Sequence, residues 1–403
     1  MLTALLKNGQ PFVLSGNRLA FEHLLQLRKT EMFFCPVCKG PLELKLGSIK
    51  VYHFAHKRDS HCAWQGEPET ERHLNGKRQL YEWLSGQDLR NVLLEPYLEE
   101  IKQRPDILAE DESRRLAIEY QCSLLNRSIF FKRTLSYLNA EIYPIWILGS
   151  NQLSRRSASA YRFSPFHWMC TCHDKESQDP FLLSYDPESQ SFLRLTGLIP
   201  FTKTSVFANQ QFFPLSKTSF LDLLSPVKQK LSVPDGWVQK VKQHRFSPYP
   251  HLSAESKNLR NLLYERKHLS LSSLPSAAFI PLSKGFLMDS PVFIWQTRVL
   301  LWLDNIPIHK PFHLNAICHH IQELIIKGRL SLKEIAQWQT VESFHKTIEE
   351  YLSCLTFLGM VTKTDHGTYI KTQAIHWRNN TENLLREDRV QFEKMKGKTL
   401  HIN

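Results

Sequence analysis

An α/β fold, a mixed sheet flanked by helices, is what residues 65–150 predict, on two observations. Their hydrophobic periodicity switches in the order helix, strand, strand, strand, helix, strand. Turn-forming residues separate the runs, and the last run, "IYPIWILG", is apolar on both faces as a central strand would be. The chain has 403 residues and is 42% hydrophobic, enough for two or three domains with their own cores.

Three parts are expected. In residues 1–64, "ALLKNGQPFVL" reads as two short strands turned at Asn8-Gly9 with type I′ geometry. A helix-like "NRLAFEHLLQLRK" and a Cys/His cluster follow. Residues 65–150 hold the helix "ETERHLNGKRQLYEWLSG", strands "NVLLEPYL", "QRPDILAE" and "RRLAIEYQCS", the helix "SIFFKRTLSYLNAE", and the closing strand. A Ser/Arg-rich linker, "SNQLSRRSASAYR", is expected to separate this unit from a mainly helical region, residues 151–403.

Lys and Arg number 51 against 39 acidic residues, a formal charge of +12. Such an excess points to a polyanionic partner, nucleic acid first. No apolar run is long enough to span a bilayer, and the N-terminus lacks a charged region followed by an apolar one. A cytoplasmic protein is expected, with its eight Cys as metal ligands or buried thiols rather than disulfides. No small-molecule cofactor is expected.

"CPVC" and "HFAH" place Cys35, Cys38, His53 and His56 close in sequence, with Cys62 beyond. Cys-x₂-Cys on a turn lets two thiolates share one tetrahedral ion, and Pro36 stiffens that turn. The expected zinc ligands are Cys35, Cys38, His56 and Cys62, with His53 as the substitute, in a closed structural site.

Asp106 and Glu119 lie in strand-like runs on either side of "AEDESRR". A hairpin about that turn puts them nearly opposite each other. Glu119 and Gln121, two apart, share a face. Two carboxylates beside a polar side chain make a hard-oxygen site suited to Mg²⁺ or Mn²⁺. Glu95, with Glu71 or Glu69, could add ligands. This order of elements and acids resembles the core of PD-(D/E)xK nucleases. Gln121 stands where Lys is usual, so Lys77, Arg104 or Arg133 would have to supply the positive charge. Arg133 and Tyr137, four apart on one helix face, could contact a phosphate or base.

The segments "CPVC", "HFAHK", "ERHLNGKRQLYEWL", "QRPDIL", "AIEYQCS" and "YPIWIL", in this order, resemble the competence protein CoiA family over about residues 30–150. The resemblance implies a zinc-finger-like N-terminal part, a PD-(D/E)xK nuclease-like core, and a role in processing incoming DNA during natural transformation. It implies single-stranded DNA as substrate, and the RecA recombinase or a helicase as partner. The family pattern matches Asp106, Glu119 and Gln121 as the core motif. It also matches Glu71, His73 and Lys77 on the first helix, and Arg133 with Tyr137 on the second.

Beyond residue 150 the signals are coarser. Residues 226–267 carry nine Lys/Arg against three Asp/Glu, interleaved with Trp237, Phe246, Tyr249 and Tyr264, a composition suited to single-stranded nucleic acid. Residues 328–373 read as two helices and a hairpin turned at Asp365-His366-Gly367, the outline of a winged helix. Cys170 and Cys172 have no second pair nearby and read as structural thiols.

Overall fold

The computed structural model describes residues 1–15, 20–47, 51–57, 62, 69–173, 179–225, 233–246, 252–338, 344–365 and 367–396. Six elements form the N-terminal module: β1 (Thr3–Leu5), β2 (Pro11–Val13), α1 (Phe21–Thr30), β3 (Phe33–Phe34), β4 (Pro41–Lys45) and β5 (His53–His56). Its strands pair antiparallel in the order β2-β1-β3-β4-β5. The hairpin at Asn8-Gly9 is present, but its turn is not type I′. Only Gly9 has positive φ, and Leu6 N donates to Gln10 O, so three residues close the loop with Gly in the left-handed position.

The central domain opens as expected, with α2 (Glu71–Ser85), β6 (Arg90–Leu94), β7 (Ile107–Glu110), β8 (Arg115–Gln121), α3 (Arg127–Asn139) and β9 (Ile142–Gly149). Thr70 caps α2 by accepting from His73 N, and Asn126 caps α3 by accepting from Ser128 N. Between β7 and β8 the Asp111 carboxylate accepts from the backbone N–H of Ser113 and Arg114, at 2.8 and 2.7 Å. That Asx turn fixes the register at Ile107↔Ile118, which continues to Asp106 opposite Glu119.

The sheet does not end at residue 150. It continues through β10 (Ser154–Arg155), β11 (Ala160–Arg162), a short α4 (Pro165–Met169), β12 (Cys172–His173), β13 (Pro180–Asp186), β14 (Ser191–Pro200) and β15 (Ser205–Pro214). β13 pairs in parallel with β9, making one sheet ordered β10-β11-β15-β14-β13-β9-β8-β7-β6. The expected boundary is therefore displaced to beyond β15. The Ser/Arg-rich segment is the sheet's edge rather than a linker, because β11 is hydrogen-bonded along β15. β9 is apolar on both faces because β8 and β13 flank it and side chains cover both sides: Ile145 and Ile147 on one, Trp146 and Leu148 on the other.

Residues from 220 onward are mainly helical: α5 (Phe220–Leu224), α6 (Trp237–Phe246), α7 (Ala254–Lys267), α8 (Val292–Asp304), β16 (Pro311–His313), α9 (Leu314–Ile326), α10 (His345–Phe357), β17 (Val361–Asp365), β18 (Thr368–Lys371) and α11 (Thr381–Lys396). α8 is buried nearly all round and forms the centre of the largest core cluster. The three short strands pair in the order β16-β18-β17. His366, expected in their turn, lies outside the described residues. Trp237, expected as a stacking aromatic, is fully buried and donates Nε1–H to Phe279 O. Phe246 and Tyr264 are exposed, and Tyr249 lies outside the described residues. Cys170 and Cys172 are buried. No helix among the described residues is long and apolar enough to cross a membrane.

Candidate active site and metal centre

The Cys/His cluster forms at the turn between β3 and β4 and the end of β5. Cys35, Cys38, His56 and Cys62 bring one ligand atom each to within 4.8 Å of one another. Cys38 Sγ lies 3.4 Å from His56 Nε2. Val37 N–H points at Cys35 Sγ and Gly40 N–H at Cys38 Sγ, both at 3.4 Å. Such N–H donors stabilise thiolates, and a tetrahedral zinc with 2.3 Å bonds needs sulfurs about 3.8 Å apart. This Cys₃His donor set therefore fits a metal ion of the zinc type. His53 is not part of it. Three positions from His56 on a strand, it faces the other way and its Nδ1 meets Val51 O at 2.9 Å.

The acidic site is built where α2 and α3 cross the β7–β8 pair. On β8 the backbone N–H of Tyr120 donates to Asp106 Oδ2 at 2.9 Å, which holds the carboxylate just ahead of β7. α2 supplies His73, whose Nε2 lies 3.5 Å from Asp106 Oδ2, and Lys77, whose Nζ lies 3.5 Å from Oδ1. Burial acts to raise the Asp106 pKa, but the charges of Lys77 and His73 outweigh it and hold the carboxyl well below its ordinary range. His73 Nδ1 is buried with no hydrogen-bond partner among the described residues.

α3 supplies the partners of Glu119. Tyr137 donates to Glu119 Oε1 at 2.5 Å, and Arg133 Nη2 approaches the same oxygen at 2.9 Å. Burial pushes the Glu119 pKa up to about 7, against the pull of Arg133. Arg133 also donates to Arg104 O at 2.8 Å.

Lys77 is almost fully buried and joins the acids on the α2 side. It pairs with Glu69 at 2.6 Å and with Glu95, besides its approach to Asp106. Burial disfavours the ammonium, yet Glu69, Glu95 and Asp106 together raise its pKa, so it stays charged. Glu95, in a left-handed conformation at φ 51°, donates its N–H to Asp106 O, while its carboxylate accepts from Leu2 N and Thr3 N at 2.8 and 3.0 Å. The N-terminal module is thereby docked on the site, and the Met1 α-amino group pairs with Glu69.

Several expected roles change. Glu71 is exposed in the first turn of α2, and Glu69 occupies the place among the acids that Glu71 was to fill. Glu95 is saturated by backbone amides and Lys77. Lys77, Arg104 and Tyr137 are buried and Arg133 is nearly so, and Lys77, Arg133 and Tyr137 bind groups of the site itself. None is placed as a surface DNA contact. Gln121 is buried and its amide donates to Ser123 O at 2.8 Å. The carboxylates suit a hard cation in kind. Asp106 Oδ1 faces the Lys77 ammonium at 3.5 Å, and the side chain retains 15% exposure, so this hard oxygen is still reachable from solvent. A signal available in the sequence was Gly76 in the middle of α2: a Cβ there would overlap the Tyr120 ring, so Gly lets the helix settle close enough for His73 and Lys77 to reach Asp106.

Comparison with known proteins agrees with this architecture. Three family descriptions match in chain order: "Competence protein CoiA, N-terminal domain" over residues 17–65, "nuclease-like domain" over 69–228, and "C-terminal domain" over 233–385. The second ends beyond β15, where the sheet ends. The "Competence protein CoiA" of Bacillus subtilis (strain 168) is 34% identical over 370 residues, covering 91% of this chain and 97% of that protein. No solved structure matches. With all three regions matched and nearly the whole of a relative aligned, the chain belongs to the competence protein CoiA family.

Proposed function

We propose that this protein is a metal-dependent nuclease that processes incoming DNA, single-stranded in the first instance, during natural transformation in the cytoplasm. The observation that carries the reading is the Asp106 carboxylate, held by Tyr120 N–H just ahead of β7 and close enough to Glu119 to act on its charge, with the buried Lys77 ammonium beside it. Asp106 and Glu119 would hold Mg²⁺ or Mn²⁺. Such an ion, when bound, lowers the pKa of a water and neutralises charge on a phosphoryl oxygen. The chain's own residues do the rest. Lys77 supplies the fixed positive charge that Gln121 cannot, from a helix instead of from β8. Arg133 and Tyr137 orient Glu119, and the Gln121 amide can hold a water. Lys77 first, with the His73 contact beside it, keeps Asp106 ionised.

The test is cleavage of labelled single- and double-stranded DNA with Mn²⁺ or Mg²⁺. Asp106→Asn, nearly isosteric, is expected to lower cleavage by orders of magnitude and leave binding intact. Equal cleavage by both proteins rejects the assignment.

A second reading is a non-cleaving scaffold that holds DNA and hands it to a recombinase such as RecA, or to a helicase. It is favoured by the saturation of Glu95 and Glu119 with protein partners. Of the winged helix expected at residues 328–373, one α-helix, α10, and the hairpin β17–β18 form among the described residues; the other elements of a winged-helix-like module for such contacts would be α8, β16 and α9, which precede residue 328. Its α10 is packed inward, with Glu350 accepting from Ser283 N and Lys284 N, so this module suits a protein partner better than a DNA groove.

A further inference from the structure

At the sheet edge farthest from β6 a cleft of about 530 Å³ opens between β11 and α6. The register gives it one chemical character. Arg156 N donates to Ala160 O, and Arg162 lies opposite Ser205 on β15, so Arg156, Ala160 and Arg162 project to the same side as Ser205 and Phe207. Ala160 and Phe207 form an apolar floor with α6 above it. Gly236 opens that helix at φ 81°, and Lys240 and Gln243 face the cleft from its first two turns.

The lining holds three cations and no carboxylate. Arg156 and Arg162 are exposed, and neither makes an ion pair among the described residues. Lys240 reaches only the neighbouring Gln243, at 3.5 Å. Asp235, next to Gly236, offers its backbone oxygen to Ser159 Oγ, and its side chain is outside the lining. Elsewhere in this protein several buried or half-buried cations are matched to acids, as with Arg245 and Asp388, or Lys203 with Glu255 and Asp289. A concave site with three unmatched cations, side-chain amides and hydroxyls at its walls is complementary to a run of phosphates. Guanidinium groups in particular suit phosphodiester oxygens.

We propose that this cleft, formed by Arg156, Arg162 and Lys240, is a second nucleic-acid site that binds the phosphodiester backbone of the DNA strand away from the catalytic carboxylates. The proposal rests on the reading that DNA is the ligand, not on its being cut. Five strand spacings separate β11 from β8, about 24 Å at about 4.8 Å each. An extended single strand covers more distance per phosphate than the stacked rise of about 3.4 Å, so about seven nucleotides reach both sites when stacked and fewer when extended. A long strand can occupy both sites at once, and a very short one only one of them.

The experiment is fluorescence anisotropy with a labelled single strand of roughly twenty nucleotides and one of roughly three, over a range of salt concentration, lengths chosen to lie either side of that span. Wild type is compared with Arg156→Ala/Arg162→Ala/Lys240→Ala and with Arg156→Lys/Arg162→Lys, each checked by thermal unfolding. The triple variant is expected to melt like wild type and to bind the long strand about tenfold more weakly. Its salt dependence should be less steep by about 2 in log–log slope, three contacts at about 0.7 each. The short strand, which can occupy only one site at a time, should lose less affinity than the long one, and the Lys variant should retain most of the affinity. Equal affinity and equal slope for the long strand in a folded triple variant overturn the proposal, as would a cleft that takes only free phosphate. Wild type that binds no DNA at low salt overturns it too. Cleavage assays separate the two readings: loss of long-strand affinity in the triple variant, with no cleavage by any protein, retains the cleft and rejects the nuclease.

Discussion

Gly76 of α2 lies against the ring of Tyr120 on β8 so closely that a Cβ on the glycine would overlap the ring carbons. The contact sets the height of α2 above the sheet, and with it the reach of His73 and Lys77 to Asp106. Gly76→Ala would gain helix propensity but must push the helix or the ring aside. Overpacking of this kind costs about 1–3 kcal/mol. The variant is expected to melt at lower temperature and to lose cleavage disproportionately, since a shift of the helix moves both partners of Asp106. Unfolding curves beside cleavage rates check this. Unchanged stability and activity would show that α2 adapts freely.

The pH dependence follows from Glu119. Burial raises its pKa from 4.5 to about 7, so near neutrality only part of the protein carries the ionised form that can serve a cation. Cleavage should rise with pH along a limb centred near 7. Tyr137 is fully buried and its hydroxyl favours the charged form, so Tyr137→Phe should move the limb to higher pH by about one unit. Stability has the opposite sign. Between pH 4.5 and about 7 the folded protein keeps a proton the unfolded chain has released, so this residue's contribution falls as pH rises through that window. Glu119→Gln should flatten that fall in a pH series of denaturant midpoints. A limb that Tyr137→Phe leaves unmoved would remove Glu119 from the reaction.

The zinc-type cluster and the acidic site are joined through β1. The amides of Leu2, just before it, and of Thr3 bind Glu95, and Phe54 of β5 exchanges backbone hydrogen bonds with Met1. Metal analysis is expected to find about one zinc per chain, lost in Cys35→Ser/Cys38→Ser. Because the module's fold positions those amides, chelation should also lower the melting temperature and the activity in Mn²⁺. A metal-free preparation of equal stability would mean the four donors are structural thiols and an incidental His.

Much of the site was legible because local chemistry carried it. "CPVC" with "HFAH" contains its own geometry, and the Asx turn at Asp111 fixes the partners of residues 106 and 119 by counting. What was not legible depended on long-range contacts. Lys77 and Arg133 look like surface cations in a basic chain, and only the fold reveals that each is buried against acids. Glu71 and Glu69 could not be separated, since the helix starts at Glu71 and the chain just before it turns inward. The strand β13 was missed for a related reason. "PFLLSYD" follows a Ser/Arg-rich stretch, and nothing local says that it returns to lie beside β9. Parallel pairing across some thirty residues leaves no turn signal.

That strand also supplies the last prediction. A fragment ending at residue 150 contains every acid of the site, and a domain boundary there would let it fold alone. In the whole protein, however, Ile147, Leu148 and Gly149 of β9 pair with Leu183, Ser184 and Tyr185 of β13, and Phe192 of β14 packs beneath. Leu183, Tyr185 and Phe192 are fully buried. At about 1.5–3 kcal/mol for each such side chain, their removal costs about 5–9 kcal/mol, comparable to the whole stability of a typical domain, about 5–15 kcal/mol. Truncation would also bare β9 as a long apolar edge, a template for aggregation. Fragment 1–150 is therefore expected to aggregate or to bind a hydrophobic dye without a cooperative melt. Fragment 1–225, which keeps the sheet through β15, should be the more soluble and should melt cooperatively. A monomeric 1–150 with a sharp transition would restore the boundary at residue 150 and make β13 to β15 an accessory layer.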